Sequence, residues 1–151
     1  NALIEADNYK GGCLAAEHLV KCGCKNIVCM KEPTGYSSGR RRYEGYLDVC
    51  KKYNLKEQSV DCHYNYESGL RAAEEILKKY PEVDGVVAGN DIVAMSVYKV
   101  FARHGKKIPQ EVQLVGFDDV GFGELFIRSL RLYISPFGRW GIWQQRLFSK
   151  L

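Results

Sequence analysis

Short apolar runs alternate along the chain with longer segments of mixed apolar and polar residues. Runs of this kind, apolar at nearly every position, are typical of strands buried on both faces of a sheet. Four are present, and the second is the weakest: NIVCM (26–30), SVDCHY (59–64), VDGVVAG (83–89) and EVQLVGF (111–117). The segment KEPTGYSSG (31–39) is predicted to be a loop from its Pro, Gly and Ser content.

The segments between these runs place apolar residues three and four positions apart, as amphipathic helices do. Helices are predicted in 11–23, 40–53, 67–81, 90–105 and 139–151. Asn90 is the predicted N-cap of the fourth helix and Gly105 its C-cap residue. The predicted buried faces of the first four helices are, in order, Leu14, Ala15, Leu19 and Cys22; Tyr43, Tyr46, Leu47 and Cys50; Leu70, Ala73, Ile76 and Leu77; and Val93, Val97, Val100 and Phe101.

Alternation of strands and helices predicts βαβ units, and therefore an α/β fold with a parallel sheet and helices on both sides. With 151 residues, the chain has the length of about one domain. Its net charge of +4 is too small to indicate nucleic-acid binding by itself. No apolar run approaches the roughly 20 residues of a membrane span.

Six cysteines lie in the first 62 residues, and none forms a C-x-x-C pair. We interpret them as reduced thiols of a cytoplasmic protein, because disulfide scaffolds are smaller and richer in loops. A metal site is the alternative, although the three histidines show no zinc spacing.

Polar side chains follow each predicted strand, and ligands of open parallel sheets bind at that edge. The segments are YSSGRRR (36–42), HYNY (63–66), GND (89–91) and FDD (117–119). Carboxylates, amides and a guanidinium bind vicinal hydroxyls through paired hydrogen bonds, and an aromatic face covers the apolar side of a sugar ring. The sequence therefore predicts a site for a small polyhydroxylated ligand.

Each of these residues also has a structural interpretation. Asn90 can cap a helix, Tyr64 can pack at the sheet edge, and Asp118 with Asp119 can cap a turn. The run Arg40–Arg42 can be a solvated helix start or a phosphate contact. Arginines in a first helical turn oppose the helix dipole, so a compensating group is expected.

Common enzyme motifs are absent from the sequence. It contains neither a dinucleotide-binding G-x-G-x-x-G after a strand, nor G-x-x-x-x-G-K-[ST], nor G-x-S-x-G. We therefore expect no enzymatic activity, no cofactor and no metal.

The order of motifs resembles the effector-binding domain of lactose-repressor (LacI/GalR-type) transcription regulators. The resemblance rests on DNYKGGCLAAEHLVKCGCKNI, RRRYEGY, ESGLRAAEEIL and above all VDGVVAGNDIVAMSVYKVFARHGKKIPQEVQLVGFDD. It covers nearly the whole chain, although SLRLYISP stands where the family has P-x-LTT.

The resemblance implies one three-layer α/β/α lobe of a periplasmic-binding-protein-like (type I) clamshell. Residues 9–128 would form mainly the C-terminal lobe, and segments 1–8 and 129–151 would belong to or cross to the N-terminal lobe. The helix-turn-helix headpiece would lie upstream, so that the chain is expected to be a fragment.

The resemblance also assigns ligand contacts by position. Arg42 matches an arginine that grips the effector, Ser38 a polar neighbour, and Tyr64 an aromatic residue that stacks on the ligand ring. The remaining contacts would be Asn90, Asp118 and Asp7, whereas Asp119 would hold the loop.

The implied function is an effector-sensing domain of a cytoplasmic, homodimeric repressor that binds a small sugar and meets operator DNA only through the missing headpiece. The alternative is a periplasmic sugar-binding protein of a transporter. A third possibility is an α/β enzyme that holds a phosphorylated substrate with Arg40–Arg42.

Overall fold

The computed structural model describes residues 7–33, 37–117 and 131–133. Helices and strands alternate within these ranges as the sequence predicts. The elements are α1 (Asn8–Lys21), β1 (Ile27–Lys31), α2 (Ser37–Lys52), β2 (Gln58–Asp61), α3 (Tyr66–Lys79), β3 (Gly85–Val87), α4 (Asp91–Arg103), β4 (Gln113–Phe117) and β5 (Arg131–Tyr133). The predicted helix at 139–151 lies outside the described residues.

The strands form one sheet in the order β2-β1-β3-β4-β5, and every pair is parallel. The prediction of a parallel sheet is therefore confirmed. The fifth strand was not predicted, because RLY is too short to show a strand pattern by itself. It pairs with the end of β4, where Phe117 is the partner of Tyr133, and so extends the sheet beyond residue 128.

Helices cover both faces of the sheet. Buried side chains of β1, β3 and β4 on one face pack with α3 and α4, and they include Val28, Met30, Val86 and Leu114. Those on the other face pack with α1 and α2, and they include Ile27, Cys29, Val87, Val115 and Phe117. The three-layer α/β/α arrangement is therefore confirmed, and it explains why the inner strands β1 and β3 lack a polar face.

The buried face of α1 differs from the prediction. Leu14 was expected to point inward, but it is 37% exposed. The helix instead packs through small residues, which do not appear in a pattern of large apolar positions: Gly11, Gly12, Ala15 and Ala16 are buried with Leu19. Cys22 is half-buried and forms the C-cap. The predicted loop 31–39 is also shorter, since β1 extends to Lys31 and α2 begins at Ser37.

Small residues let the helices of each layer approach closely. A Cβ placed on Gly12 would lie 2.0 Å from the carbonyl oxygen of Arg42, and one on Gly45 would lie 2.3 Å from the carbonyl oxygen of Tyr9. Both distances are far below van der Waals contact. The backbones of α1 and α2 therefore touch at two points where no residue larger than glycine fits.

Side chains close the amino edge of the sheet. The carboxylate of Asp84 accepts hydrogen bonds from the backbone N–H groups of Lys25 and Asn26, each at 2.8 Å. The hydroxyl of the buried Tyr46 accepts from the N–H of Gln58 at 3.0 Å and lies 2.9 Å from the carbonyl oxygen of Ile27. These backbone groups of the amino edge are thus hydrogen-bonded by side chains of the chain itself.

The contact of Gly12 with α2 yields a test of the packing. Replacing a helical glycine by alanine normally stabilises a helix by about 1 kcal/mol. Here we expect Gly12→Ala to lower the free energy of unfolding by about 2 kcal/mol, because the new methyl group collides with backbone. Chemical denaturation measures the difference, with Leu14→Ala as a surface control that changes it by about 0.5 kcal/mol or less. Stabilisation by Gly12→Ala would contradict the packing.

Candidate ligand-binding site

The carboxyl ends of β1 to β4 lie along one edge of the sheet, because these strands are parallel. Ligands of open α/β sheets bind at such an edge. Five of the six predicted contacts are described there or beside it: Asp7, Ser38, Arg42, Tyr64 and Asn90. The sixth, Asp118, and its neighbour Asp119 lie outside the described residues.

Arg42 is at the centre of this edge. Its Nε donates to Asn8 Oδ1 at 2.9 Å, and its Nη1 donates to the carbonyl oxygen of Gly89 at 2.7 Å. The guanidinium carbon lies 4.4 Å from the centre of the Phe117 ring, within the range of cation–π attraction. These contacts join the start of α1, the β3–α4 connection and the end of β4, and hold the guanidinium in one orientation.

Tyr64 packs against the same connection. A Cβ placed on Gly89 would lie 2.0 Å from Tyr64 Cε1, so the ring occupies space that only glycine leaves open. The hydroxyl end of the ring lies 3.1 Å from a Cβ placed on Gly39, in the first turn of α2. Burial raises the pKa of the Tyr64 hydroxyl well above its ordinary value. The structural interpretation of Tyr64, packing at the sheet edge, is thus confirmed.

Asn90 uses both ends of its amide. Oδ1 accepts from the backbone N–H of Val93 at 2.9 Å and thereby caps α4, as predicted. Nδ2 donates to the carbonyl oxygen of Tyr64 at 3.3 Å. The side chain therefore links the β2–α3 connection to the β3–α4 connection. It lies next to the Gly89 carbonyl that Arg42 binds.

Asp7 and Ser38 lie beside this network. Asp7 is exposed and caps α1, with Oδ1 accepting from the N–H of Lys10 at 2.9 Å. It directly precedes Asn8, the partner of Arg42. Ser38 is half-buried in the first turn of α2, four residues before Arg42, and so lies on the same side of the helix.

Arg40 and Arg41 have another role. Arg40 Nε lies 3.2 Å and Arg41 Nη1 2.6 Å from the carboxylate of Glu44, which supplies the compensating charge expected from the sequence. Their side chains are 81% and 57% exposed. The solvated interpretation fits these two arginines, and within the run only Arg42 has contacts that reach the sheet edge.

Sequence reasoning missed several members of this edge. Asn8 accepts a hydrogen bond from Arg42, the contact of Phe117 with the same guanidinium was not predicted although FDD was placed at this edge, and Glu32 is the first residue after β1. The position of Glu32 was a usable signal, because any residue directly after a buried parallel strand reaches the ligand-binding edge. The contact between Arg42 and Asn8 gave no local signal, since the two residues lie 34 positions apart in the chain.

The described residues provide no metal site, disulfide or membrane-spanning helix. Among them, no group of three or more His, Cys, Asp or Glu side chains is placed to hold a metal ion. Four of the six cysteines are buried, Cys13 and Cys22 are half-buried, and none is in a disulfide. Within the described ranges, no helix has the length and apolarity needed to cross a membrane.

Comparisons with known proteins identify the family of this fold. A family profile described as a periplasmic binding protein-like domain matches residues 16–131, which is most of the chain. The chain belongs to this family. The resemblance to LacI-type regulators is confirmed by its relatives.

One relative is the ribose operon repressor of Halalkalibacterium halodurans, 30% identical over 148 residues that cover 98% of this chain and 45% of the repressor. A solved structure from Alkaliphilus metalliredigens QYMF, described as a periplasmic binding protein/LacI transcriptional regulator in complex with D-xylulofuranose, is 33% identical with a TM-score of 0.75, and the match covers 87% of this chain and 50% of that one. A LacI family transcriptional regulator from Enterococcus faecalis V583 with bound ribose is 31% identical with a TM-score of 0.77, and the match covers 87% of this chain and 47% of that one.

The proteins to which this chain is similar are described as transcriptional repressors and regulators, not as enzymes. The chain spans less than half the length of the curated repressors that it matches.

The two roles of Asn90 can be separated by mutation. Asn90→Ala removes the cap of α4, so we expect a loss of about 1 kcal/mol in the free energy of unfolding. Asn90→Asp keeps the capping oxygen and should change stability by a few tenths of a kcal/mol only. Chemical denaturation of both variants checks this expectation, and equal losses would show that the Nδ2 contact with Tyr64, not the cap, provides the stabilisation.

Proposed function

We propose that this chain is the effector-sensing part of a LacI-type transcriptional repressor, in which a small sugar binds at the carboxyl edge of the sheet. The observation that carries the proposal is the fixed guanidinium of Arg42 at this edge, between Asn8, Gly89 and Phe117. A preorganised donor fork binds vicinal hydroxyls without losing side-chain entropy on binding.

The neighbouring residues have complementary roles in this proposal. Arg42 and the Asn90 amide donate to ring hydroxyls, Asp118 and Asp7 accept from them, and Ser38 adds a hydroxyl contact. The ring of Tyr64 covers the apolar side of the sugar. Three or four charge-assisted hydrogen bonds of roughly 1.5–3 kcal/mol each are enough for micromolar affinity after the entropic cost of association.

A pentose is the first effector to test. The structures of two regulators more than 30% identical to this chain contain ribose and D-xylulofuranose, and the curated relative in Halalkalibacterium halodurans is a ribose operon repressor. The Halalkalibacterium halodurans repressor and the Enterococcus faecalis regulator favour a transcription regulator over the sugar-binding receptor of a transporter.

In the whole protein, the C-terminal lobe would consist mainly of residues 9–128 together with β5, which pairs with β4, and the remaining segments at both ends would belong to or cross to the N-terminal lobe. The sugar would be bound and released unchanged, without a cofactor. It would favour one of two clamshell conformations, and this population shift would alter operator binding by a headpiece in a cytoplasmic homodimer.

Arg42→Lys tests the role of the guanidinium. Lysine keeps the charge but loses the planar fork, so we expect ribose affinity to fall about 10- to 100-fold in calorimetry of the full-length protein. Arg41→Lys is a matched control, because Arg41 is exposed and pairs with Glu44. Equal affinities of the two variants would contradict the proposed role of Arg42.

Asp118→Ala tests the proposed carboxylate contact. We expect it to abolish sugar binding without unfolding the protein, because a carboxylate at a strand end contributes to binding and not to the core. Asp119→Ala is the neighbouring control and should retain measurable affinity. Calorimetry with circular dichroism distinguishes these results, and unchanged affinity of Asp118→Ala would contradict the assignment.

A further inference from the structure

Glu32 is the first residue after β1 and is half-buried at the carboxyl edge. Its Oε2 lies 3.3 Å from a Cβ placed on Gly39, and the hydroxyl oxygen of Tyr64 lies 3.1 Å from the same point. The carboxylate and the hydroxyl therefore lie against the same turn of α2.

A short series of contacts connects Glu32 with Arg42. Cε1 of Tyr64 lies over Gly89, whose carbonyl oxygen accepts from Arg42, and the hydroxyl end of the ring lies beside Glu32. Burial is the main cause of the raised pKa of Tyr64, and of the two charges Arg42 lowers it whereas Glu32 raises it. The ring of Tyr64 thus lies between the guanidinium of Arg42 and the carboxylate of Glu32.

Glu32 differs from other carboxylates near this part of the fold. Asp61 lies 3.8 Å from Lys31 Nζ, and Glu44 pairs with two arginines. Within the described ranges, the Glu32 carboxylate makes neither a hydrogen bond nor an ion pair. A half-buried carboxylate is less well hydrated than an exposed one, and this costs free energy. Hydrogen bonds from ligand hydroxyls can take the place of the missing hydration.

The charge of Glu32 limits which ligands can reach Arg42. An ionised carboxylate only accepts hydrogen bonds, so it suits sugar hydroxyls and repels phosphate or carboxylate groups. We propose that Glu32 is a specificity-determining residue of the sugar site, which accepts hydrogen bonds from a neutral sugar and excludes sugar phosphates and sugar acids. This inference rests on the proposed function.

The test compares wild-type full-length protein with Glu32→Gln. The ligands are ribose, ribose 5-phosphate and inorganic phosphate, measured by calorimetry. Glutamine has nearly the same shape without the charge, so we expect ribose 5-phosphate and phosphate to bind roughly ten-fold more tightly. Ribose should bind roughly three- to ten-fold more weakly, because the charged acceptor is lost.

Two variants serve as controls. Glu82→Gln makes the same change in charge at an exposed position before β3, at the amino edge, and should leave all three affinities unchanged. Glu32→Asp keeps the charge and should continue to discriminate against both anions. Circular dichroism confirms that each variant is folded.

The outcomes separate this inference from the proposed function. Tighter binding of both anions by Glu32→Gln supports the role of Glu32 even if ribose fails to bind the wild type, a result that would contradict the pentose effector alone. Unchanged or undetectable anion binding by Glu32→Gln, or the same gain in Glu82→Gln, overturns the inference whatever ribose does.

Discussion

The backbone contact between α1 and α2 is the constraint on which the candidate site depends. Glycines at 12 and 45 let the two helices touch, and a Cβ on Gly12 would meet the carbonyl oxygen of Arg42 itself. The contact brings the start of α1 close enough for Asn8 to accept from the Arg42 guanidinium. A wider crossing would move Asn8 away and remove one of the hydrogen bonds that orient the arginine. Packing in the helical layer thus determines the geometry at the edge of the sheet.

Side chains bind backbone groups at both edges of the sheet, but the residue types differ. Asp84 and Tyr46 bind backbone groups at the amino edge. At the carboxyl edge, Arg42 and Asn90 donate to the carbonyl oxygens of Gly89 and Tyr64, in a network around Gly89. The network orients a guanidinium, an amide and an aromatic ring before any ligand arrives. Preorganisation of this kind lowers the entropic cost of binding a small sugar.

Elements with strong local signals were predictable from the sequence. Helix α4 combines a capping asparagine with buried Val93, Val97, Val100 and Phe101, and the structure has these features. The parallel sheet followed from the alternation of apolar runs with amphipathic segments. Strand β5 was not predictable in this way, because three residues carry no periodicity and the strand exists through its pairing with β4.

The errors in the helices and at the site have three separate causes. α1 buries glycine and alanine, so a search for large apolar residues selected the exposed Leu14. Because residues that follow parallel strands share one edge of the sheet, Arg42, Tyr64 and Asn90 could be placed at that edge. Their mutual contacts depend on distances between separate loops, which the sequence does not show. Glu32 was missed because KEPTG has the composition of a loop, although its position after β1 places it at the edge.

Sugar binding at the carboxyl edge around Arg42 and Gly89 is tested most directly by hydrogen–deuterium exchange of the full-length protein, with and without a saturating sugar. We expect the sugar to slow exchange in peptides that cover 62–66 and 88–93, and to leave those that cover 24–27 and 82–85 unchanged. Protection confined to the amino edge, or sugar binding without protection at 88–93, would contradict the account.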